Sequence, residues 1–261
     1  MAPIRFVILA APRTGSNLLC SLLQSHPDIL CHHEIFNPAE VYYALPLRDS
    51  EFSLGSLEQR ARDPLAYMAK IWANDLGHKA VGFKMTHRQN PAVLTALCED
   101  PGIQKIVLKR RARIRTYVSR LIAEKTGVWE AYGASPDHRP VTRVAVDYQE
   151  LLDDIAYNAA YYAELDRRLK GRRITVFCED LFDADCQHAM LDFIGLPAIA
   201  LRSESRRQNP QALHDIISNH AALARRLIET RQDRDLYAEL TVHDHQNVQF
   251  NLDRSGFITF T

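Results

Sequence analysis

The stretch A-P-R-T-G-S-N at residues 11–17 stands between an apolar run at 4–10 and an apolar-periodic segment that starts at Leu18. The run predicts a buried strand, and the segment predicts the first turns of a helix. A tight turn with one glycine and two hydroxyls between them is typical of a phosphate cradle, because N–H groups at a helix start lack intrahelical partners. Arg13 adds a planar cation suited to an anion. The stretch therefore predicts a site for a phosphorylated or sulfated ligand.

Composition limits the class of protein. The 261 residues, 46% hydrophobic and 25% charged, suit one globular α/β domain. The 32 Lys and Arg balance 32 Asp and Glu, which argues against nucleic acid as a partner of the whole protein. The five cysteines form no C-x-x-C pair, so a reducing compartment fits best. We find no transmembrane stretch or signal peptide and expect a soluble, cytoplasmic protein.

Apolar runs alternate with helical patterns along the chain. Further strands are predicted at 80–83, 105–108 and 173–177, and helices at 91–99, 112–125, 147–169 and 183–194. The alternation predicts an α/β fold with a parallel sheet flanked by helices. Ligands of such sheets bind beyond the carboxyl ends of the strands. We therefore expect the 13–17 loop, Lys84, the basic run 109–111 and Glu179 to share one edge, with loops at 31–53 and 133–142.

A second group of candidate residues follows the strand at 105–108. Arg111 ends that strand and Ser119 lies eight positions later, so a guanidinium and a hydroxyl can face one phosphate. A solvated basic face is an equal alternative for this pair, and it is the expectation for Arg113 and Arg115. Neither G-x-x-x-x-G-K-S/T nor G-x-G-x-x-G is present in the first loop, which argues against the common nucleotide-binding loops.

These motifs together resemble those of the sulfotransferase family. The 11–17 stretch resembles its 5′-phosphosulfate loop, and Arg111 with Ser119 is similar to its 3′-phosphate motif. The segments C-H-H-E-I-F-N-P at 31–38 and T-G-V-W at 126–129 resemble the bacterial carbohydrate-type branch that includes trehalose sulfotransferases. F-C-E-D-L at 177–181 resembles the family's Y-E-D-L, with the tyrosine replaced. The resemblance covers residues 1–240 as one domain and leaves 241–261 as a tail of unknown role.

The resemblance implies a P-loop-like, three-layer α/β fold that uses 3′-phosphoadenosine 5′-phosphosulfate (PAPS) as sulfuryl donor. The product would be adenosine 3′,5′-bisphosphate, and no metal is required. The acceptor would be a hydroxyl of a carbohydrate or another small molecule. Homodimers are common in the trehalose-type branch, so a homodimer is possible here.

The resemblance also implies roles for single residues. The donor would be held by Arg13, Thr14, Gly15, Ser16, Asn17, Arg111, Ser119 and, in a C-terminal basic loop, Arg206. Arg13 would also stabilise charge on the leaving phosphate. The acceptor would contact Glu34, Phe36, Lys84 and Trp129. An exposed lysine and a core tryptophan are the alternatives for the last two.

The base that takes the acceptor's proton is open between two residue types. Glu34 matches the carboxylate of the trehalose-type segment, but it needs desolvation to raise its pKa. His33 and His32 are rivals because the ordinary histidine pKa lies near neutrality. An exposed loop position is the alternative for both histidines, and it is favoured for His32.

Two other functions remain open at this stage. A magnesium-dependent, kinase-like phosphotransferase would use Glu179 and Asp180 to hold the metal. A catalytically silent nucleotide-binding module would keep the phosphate loop and act through a partner.

Overall fold

The computed structural model describes residues 2–87, 89–132, 141–206, 208–230 and 234–241. Within these ranges the strands are β1 (Ile4–Ala10), β2 (Ile29–His32), β3 (Ala80–Thr86), β4 (Gln104–Lys109) and β5 (Arg173–Phe177). The helices are α1 (Ser16–Gln24), α2 (Leu57–Arg62), α3 (Pro64–Ala73), α4 (Pro91–Glu99), α5 (Arg113–Thr126), α6 (Tyr148–Arg168), α7 (Ala184–Ile194), α8 (Leu213–Ile216), α9 (His220–Thr230) and α10 (Arg234–Thr241). Short 3-10 turns occupy Leu45–Leu47 and Cys178–Asp180. Residues 242–261 of the expected tail at 241–261, and residues 133–140 of the expected loop at 133–142, lie outside the described residues.

The sheet has the strand order β2-β3-β1-β4-β5, and every neighbouring pair is parallel. Successive side chains of a strand point to opposite faces. In the central β1, Phe6 and Ile8 pack with residues of α1 and α7, whereas Val7 and Leu9 pack with residues of α3, α4 and α6. Apolar residues on both faces explain why β1 reads as a continuous hydrophobic run. The predicted α/β fold, a parallel sheet between two helical layers, is confirmed.

The helices after β4 build a third apolar cluster beside the sheet. Ile114 and Val118 of α5 pack there with Leu236 and Leu240 of α10. The last described helix is thereby joined to the helix that carries Ser119. Among the described residues, no helix is both long and apolar enough to cross a membrane.

The predicted elements are confirmed to within a few residues, but the expected loop at 31–53 is partly wrong. Its first residues, Cys31 and His32, belong to the edge strand β2. β2 has four residues, which is too short for a period to distinguish it from loop. β3 runs on to Thr86, so Lys84 lies inside a strand and not after one.

Candidate active site

The turn between β1 and α1 depends on a glycine. Gly15 is the N-cap of α1 in the left-handed conformation, with φ 90°. A Cβ at this position would lie 2.5 Å from the Sγ of Cys178, which follows β5. A side chain is therefore excluded both by the backbone and by the neighbouring sulfur. Because glycine has no side-chain acceptor, the N–H groups of the first turn of α1 remain available to an anion.

Helix α6 anchors this turn to the sheet through Tyr162, which the sequence analysis missed. The Tyr162 hydroxyl accepts from the N–H of Ala11 at 2.9 Å and donates to the carbonyl of Leu108 at 2.7 Å. Thr14 is buried, and its hydroxyl donates to the Ala11 carbonyl at 2.7 Å. The turn is thus held to the end of β4. Because the Thr14 hydroxyl already donates to Ala11, the expected contact of Thr14 with a phosphate would be made by its backbone N–H.

Lys84 connects the phosphate loop with the candidate base. Its Nζ lies 3.4 Å from Ser16 Oγ, contacts the side-chain oxygen of Asn17, and forms an ion pair with Glu34 at 2.8 Å. The residue is 4% exposed, so the alternative of an exposed lysine is wrong. A buried cation therefore lies between the α1 start and a carboxylate.

Glu34 is ionised at neutral pH. Burial raises its pKa, but the charge and hydrogen bond of Lys84 outweigh burial, with help from hydrogen bonds donated by Asn37 and Gln89, both at 2.7 Å. The net pKa lies below the ordinary glutamate value. From the sequence we expected that Glu34 as the base would need burial to raise its pKa, and the structure shows a lowered pKa instead.

The two histidines are buried, so the expected exposed position for His32 is wrong. His32 is 0% exposed, and burial, assisted by the charge of His78, lowers its pKa to about 4. Burial first, then the charges of Lys84 and Arg48, lowers the pKa of His33 well below its ordinary value. The His33 ring nitrogen Nδ1 lies 3.3 Å from the hydroxyl of Tyr132. Both imidazoles are therefore neutral at neutral pH.

Arg13 gathers the distant parts of the predicted site. Its Nε donates to Ser119 Oγ at 3.1 Å, and its two terminal nitrogens donate to the Trp129 carbonyl and the Gln208 side chain. Burial first, and then the charge of Arg110, lowers the pKa of Arg13 to about 10, so it remains a cation at neutral pH. The structure thus brings the 13–17 loop, α5 and the segment around Arg206 together.

Arg111 lies at the same sheet edge with different partners. Its guanidinium donates to both Asp180 oxygens at 2.7 and 2.8 Å and stacks 4.0 Å from the Phe177 ring centre. This pairing lowers the pKa of Asp180. Glu179 accepts from the N–H groups of Arg111 and Ala112 at 3.0 and 3.1 Å. The Arg111 side chain is 51% exposed.

A network that sequence reasoning missed joins the 31–53 segment to the chain after α5. Arg48 forms an ion pair with Glu130, whose Oε2 accepts from the Tyr132 hydroxyl at 3.3 Å and from the amide of Asn17 at 3.4 Å. Glu130 directly follows T-G-V-W, which was the available signal. The network connects the segment that contains Glu34 with the phosphate loop.

Four other candidates have clear positions. Phe36 packs in the core, with ring centres 5.6 Å from Phe83. Trp129 is 48% exposed, so the alternative of core packing is wrong. The N–H of Arg206 donates to the Ala131 carbonyl at 2.9 Å. Arg115, expected on a solvated face, is instead 8% exposed and donates to the carbonyls of Asn209 and Gln211.

No protein-family model matches the chain. In a structural comparison, a sulfotransferase from Alicyclobacillus acidocaldarius aligns with a TM-score of 0.48 at 17% identity, over 91% of this chain and 97% of that one. The chain is 26% identical over 230 residues to nodulation protein H of Rhizobium meliloti strain 1021, covering 84% of this chain and 89% of the relative. It is 28% identical over 233 residues to nodulation protein H of Rhizobium tropici, covering 86% and 89%. The chain is thus similar to the nodulation H proteins over most of its own length and theirs, and its ordered motifs resemble those of sulfotransferases.

Proposed function

We propose that this protein is a sulfotransferase that moves a sulfuryl group from PAPS to a hydroxyl of a carbohydrate or another small-molecule acceptor. The observation that carries the proposal is the contact of Arg13 with Ser119, 3.1 Å from Nε to Oγ. It joins the loop expected to hold the 5′-phosphosulfate to the helix expected to hold the 3′-phosphate. PAPS carries both of these groups.

The residues at this edge fit such a polyanion. The start of α1 offers N–H groups beside Gly15, Lys84 supplies a buried positive charge, and Arg13 supplies a half-buried one. Bound PAPS supplies the sulfuryl group and a phosphate as leaving group. Arg13 and Lys84 would stabilise the negative charge that grows on the oxygen between sulfur and phosphorus. A fixed arrangement of cations in a water-poor site makes this stabilisation large.

We assign the base to Glu34 in preference to His33. Both groups are unprotonated at neutral pH, as a base must be. The Glu34 side chain retains 21% exposure, whereas His33 is 1% exposed behind Tyr132. An acceptor can therefore reach the carboxylate more directly. The ionised Glu34 can still accept the proton, because the acceptor hydroxyl becomes strongly acidic as its oxygen bonds to sulfur.

The kinase-like alternative gains no support from the site. The two carboxylates that would hold magnesium already have partners: Asp180 pairs with Arg111, and Glu179 accepts from two backbone N–H groups. Dimerisation and the metal-free reaction stay predictions.

Replacing Arg111 by alanine tests the donor assignment. Hydrogen bonds to charged groups contribute about 1.5–3 kcal/mol, so we expect adenosine 3′,5′-bisphosphate to bind roughly 10- to 150-fold more weakly. Adenosine 5′-phosphate, which lacks the 3′-phosphate, should lose less than about threefold in affinity. Isothermal titration calorimetry measures both. The matched control is Arg226→Ala on α9, a side chain 59% exposed. Equal losses for the two nucleotides would contradict the assignment.

A further inference from the structure

Helix α5 begins without a capping side chain of its own. Its N-cap, Ala112, has no side chain that can accept a hydrogen bond. Two carboxylates from distant parts of the chain take this role. Glu179, after β5, accepts from the N–H groups of Arg111 and Ala112. Glu239, on α10, accepts from the N–H groups of Ile114 at 2.5 Å and Arg115 at 3.2 Å. Glu239 therefore occupies the N–H groups of Ile114 and Arg115 in the first turn of α5, and Glu179 occupies those just before the helix.

Glu239 is held in place by the packing of α10. Leu236 and Leu240 on either side of it are buried against α5. Its own side chain is 15% exposed, with Arg113 Nε 4.0 Å away. Burial raises the pKa of Glu239 to about 7, against the opposing effect of the N–H groups that it accepts from. Burying an ionised carboxylate is costly unless hydrogen-bond donors, such as these N–H groups, offset the loss of water.

This capping determines how α5 can meet a phosphate. Because its N–H groups are taken, the start of α5 cannot serve as the anion site that a free helix N-terminus offers. Recognition of a phosphate then depends on the side chains of Arg111, just before the helix, and Ser119, two turns into it. The distance between the Arg111 and Ser119 side chains depends on how the first turn of α5 is oriented. Glu239 accepts hydrogen bonds from that turn.

We propose that Glu239 is a positioning residue for the 3′-phosphate of the donor: by capping α5 from the last described helix, it fixes Ser119 relative to Arg111. The inference rests on the proposed function. It assigns a role in donor selectivity to a residue more than one hundred positions away in sequence from the 3′-phosphate motif, on a helix without any predicted site residue.

The test compares nucleotide affinities in full-length variants. Glu239→Ala removes the acceptor of the Ile114 and Arg115 N–H groups and should weaken binding of adenosine 3′,5′-bisphosphate roughly 2- to 30-fold. Binding of adenosine 5′-phosphate should change less than about twofold. Glu239→Gln keeps an acceptor oxygen and should recover most of the affinity. The control is Glu229→Ala on α9, a side chain 65% exposed, with both affinities unchanged.

Two outcomes separate this inference from the proposed function. If the unchanged protein fails to prefer the bisphosphate, the proposed function is wrong. If it does prefer the bisphosphate, but Glu239→Ala weakens both nucleotides equally or neither, only the positioning role is wrong. Should Glu239→Ala not fold, Glu239→Asp gives the same comparison, because its carboxylate is retracted by one methylene from the N–H groups. Unchanged bisphosphate selectivity in Glu239→Asp would then overturn the role.

Discussion

Replacing Gly15 by alanine perturbs the phosphate loop in two separable ways. The backbone φ of 90° is in the left-handed region, where an L-residue costs about 1–2 kcal/mol. The new Cβ would also lie 2.5 Å from Cys178 Sγ, well inside the roughly 3.5–4.0 Å of normal contact. Overpacking of this kind costs about 1–3 kcal/mol. We therefore expect Gly15→Ala to lower the free energy of unfolding by about 2–5 kcal/mol.

A double-mutant cycle separates these two costs. Cys178→Ala removes the sulfur but leaves its own Cβ, which is 3.4 Å from the new methyl group and in ordinary contact. The Gly15→Ala change should then cost only the backbone component, about 1–2 kcal/mol. The coupling energy between the two positions should be about 1–3 kcal/mol. Cys178→Ala alone measures what the thiol contributes through its other contacts.

The assay is urea denaturation of the four proteins, followed by circular dichroism, with bisphosphate affinity measured alongside. Binding should weaken in Gly15→Ala and recover in part in the double variant, because the loop returns toward its original path. Two results would refute the reasoning. Strictly additive effects would show that the contact with Cys178 is not repulsive, and a loss below about 1 kcal/mol would show that the left-handed turn is not required.

Two predictions concern the Lys84–Glu34 pair. Because the Glu34 pKa lies below its unfolded value, the ionised carboxylate stabilises the fold above the unfolded pKa, and this stability is lost as pH falls through the folded pKa. Lys84→Met should therefore cost about 1–3 kcal/mol at pH 7, with the difference from wild type shrinking in acid; a pH series of urea denaturation checks this, and a constant difference would count against it. Glu34→Gln should lower kcat by about 10²-fold or more with little change in bisphosphate affinity, and His33→Gln should lower it less. Steady-state transfer assays decide, and the reverse order would identify the histidine as the base.

Much of the sheet could be predicted from the sequence because its inner strands, β1, β3 and β4, are largely buried on both faces. The apolar runs at 4–10, 105–108 and 173–177 each became a strand, and the parallel arrangement brought their following loops to one edge. The Gly15 turn was predictable because it lies between an apolar run and a helical pattern in the sequence. β2 was missed because its four residues are too few to show a hydrophobic pattern.

The burial of the polar site residues was not predictable. His32 stacks on Phe52 with ring centres 6.0 Å apart, and its Nδ1 accepts from the N–H of Ala44 at 3.2 Å. These contacts exist because the 31–53 segment folds back over the edge of the sheet. Periodicity reports which face of an element is apolar, but it does not report which polar groups a returning segment covers. The ion pair of Arg48 with Glu130 depends on the same return.

The capping of α5 lay beyond sequence reasoning for a related reason. A helix that starts after alanine, without Ser, Thr, Asp or Asn, shows that a partner is needed but not where it is. Glu239 supplies it only because Leu236 and Leu240 dock α10 against α5. Which residue caps such a helix therefore depends on tertiary packing, which the local sequence does not show.

The most direct test of the sulfotransferase assignment is calorimetric titration of the protein with adenosine 3′,5′-bisphosphate and with ATP, first with a chelator and then with Mg²⁺. The two half-sites joined by Arg13 predict tight, metal-independent binding of the bisphosphate and weak binding of ATP in both conditions. Preference for ATP that appears only with Mg²⁺ would contradict this account and transfer Glu179 and Asp180 to a metal-binding role.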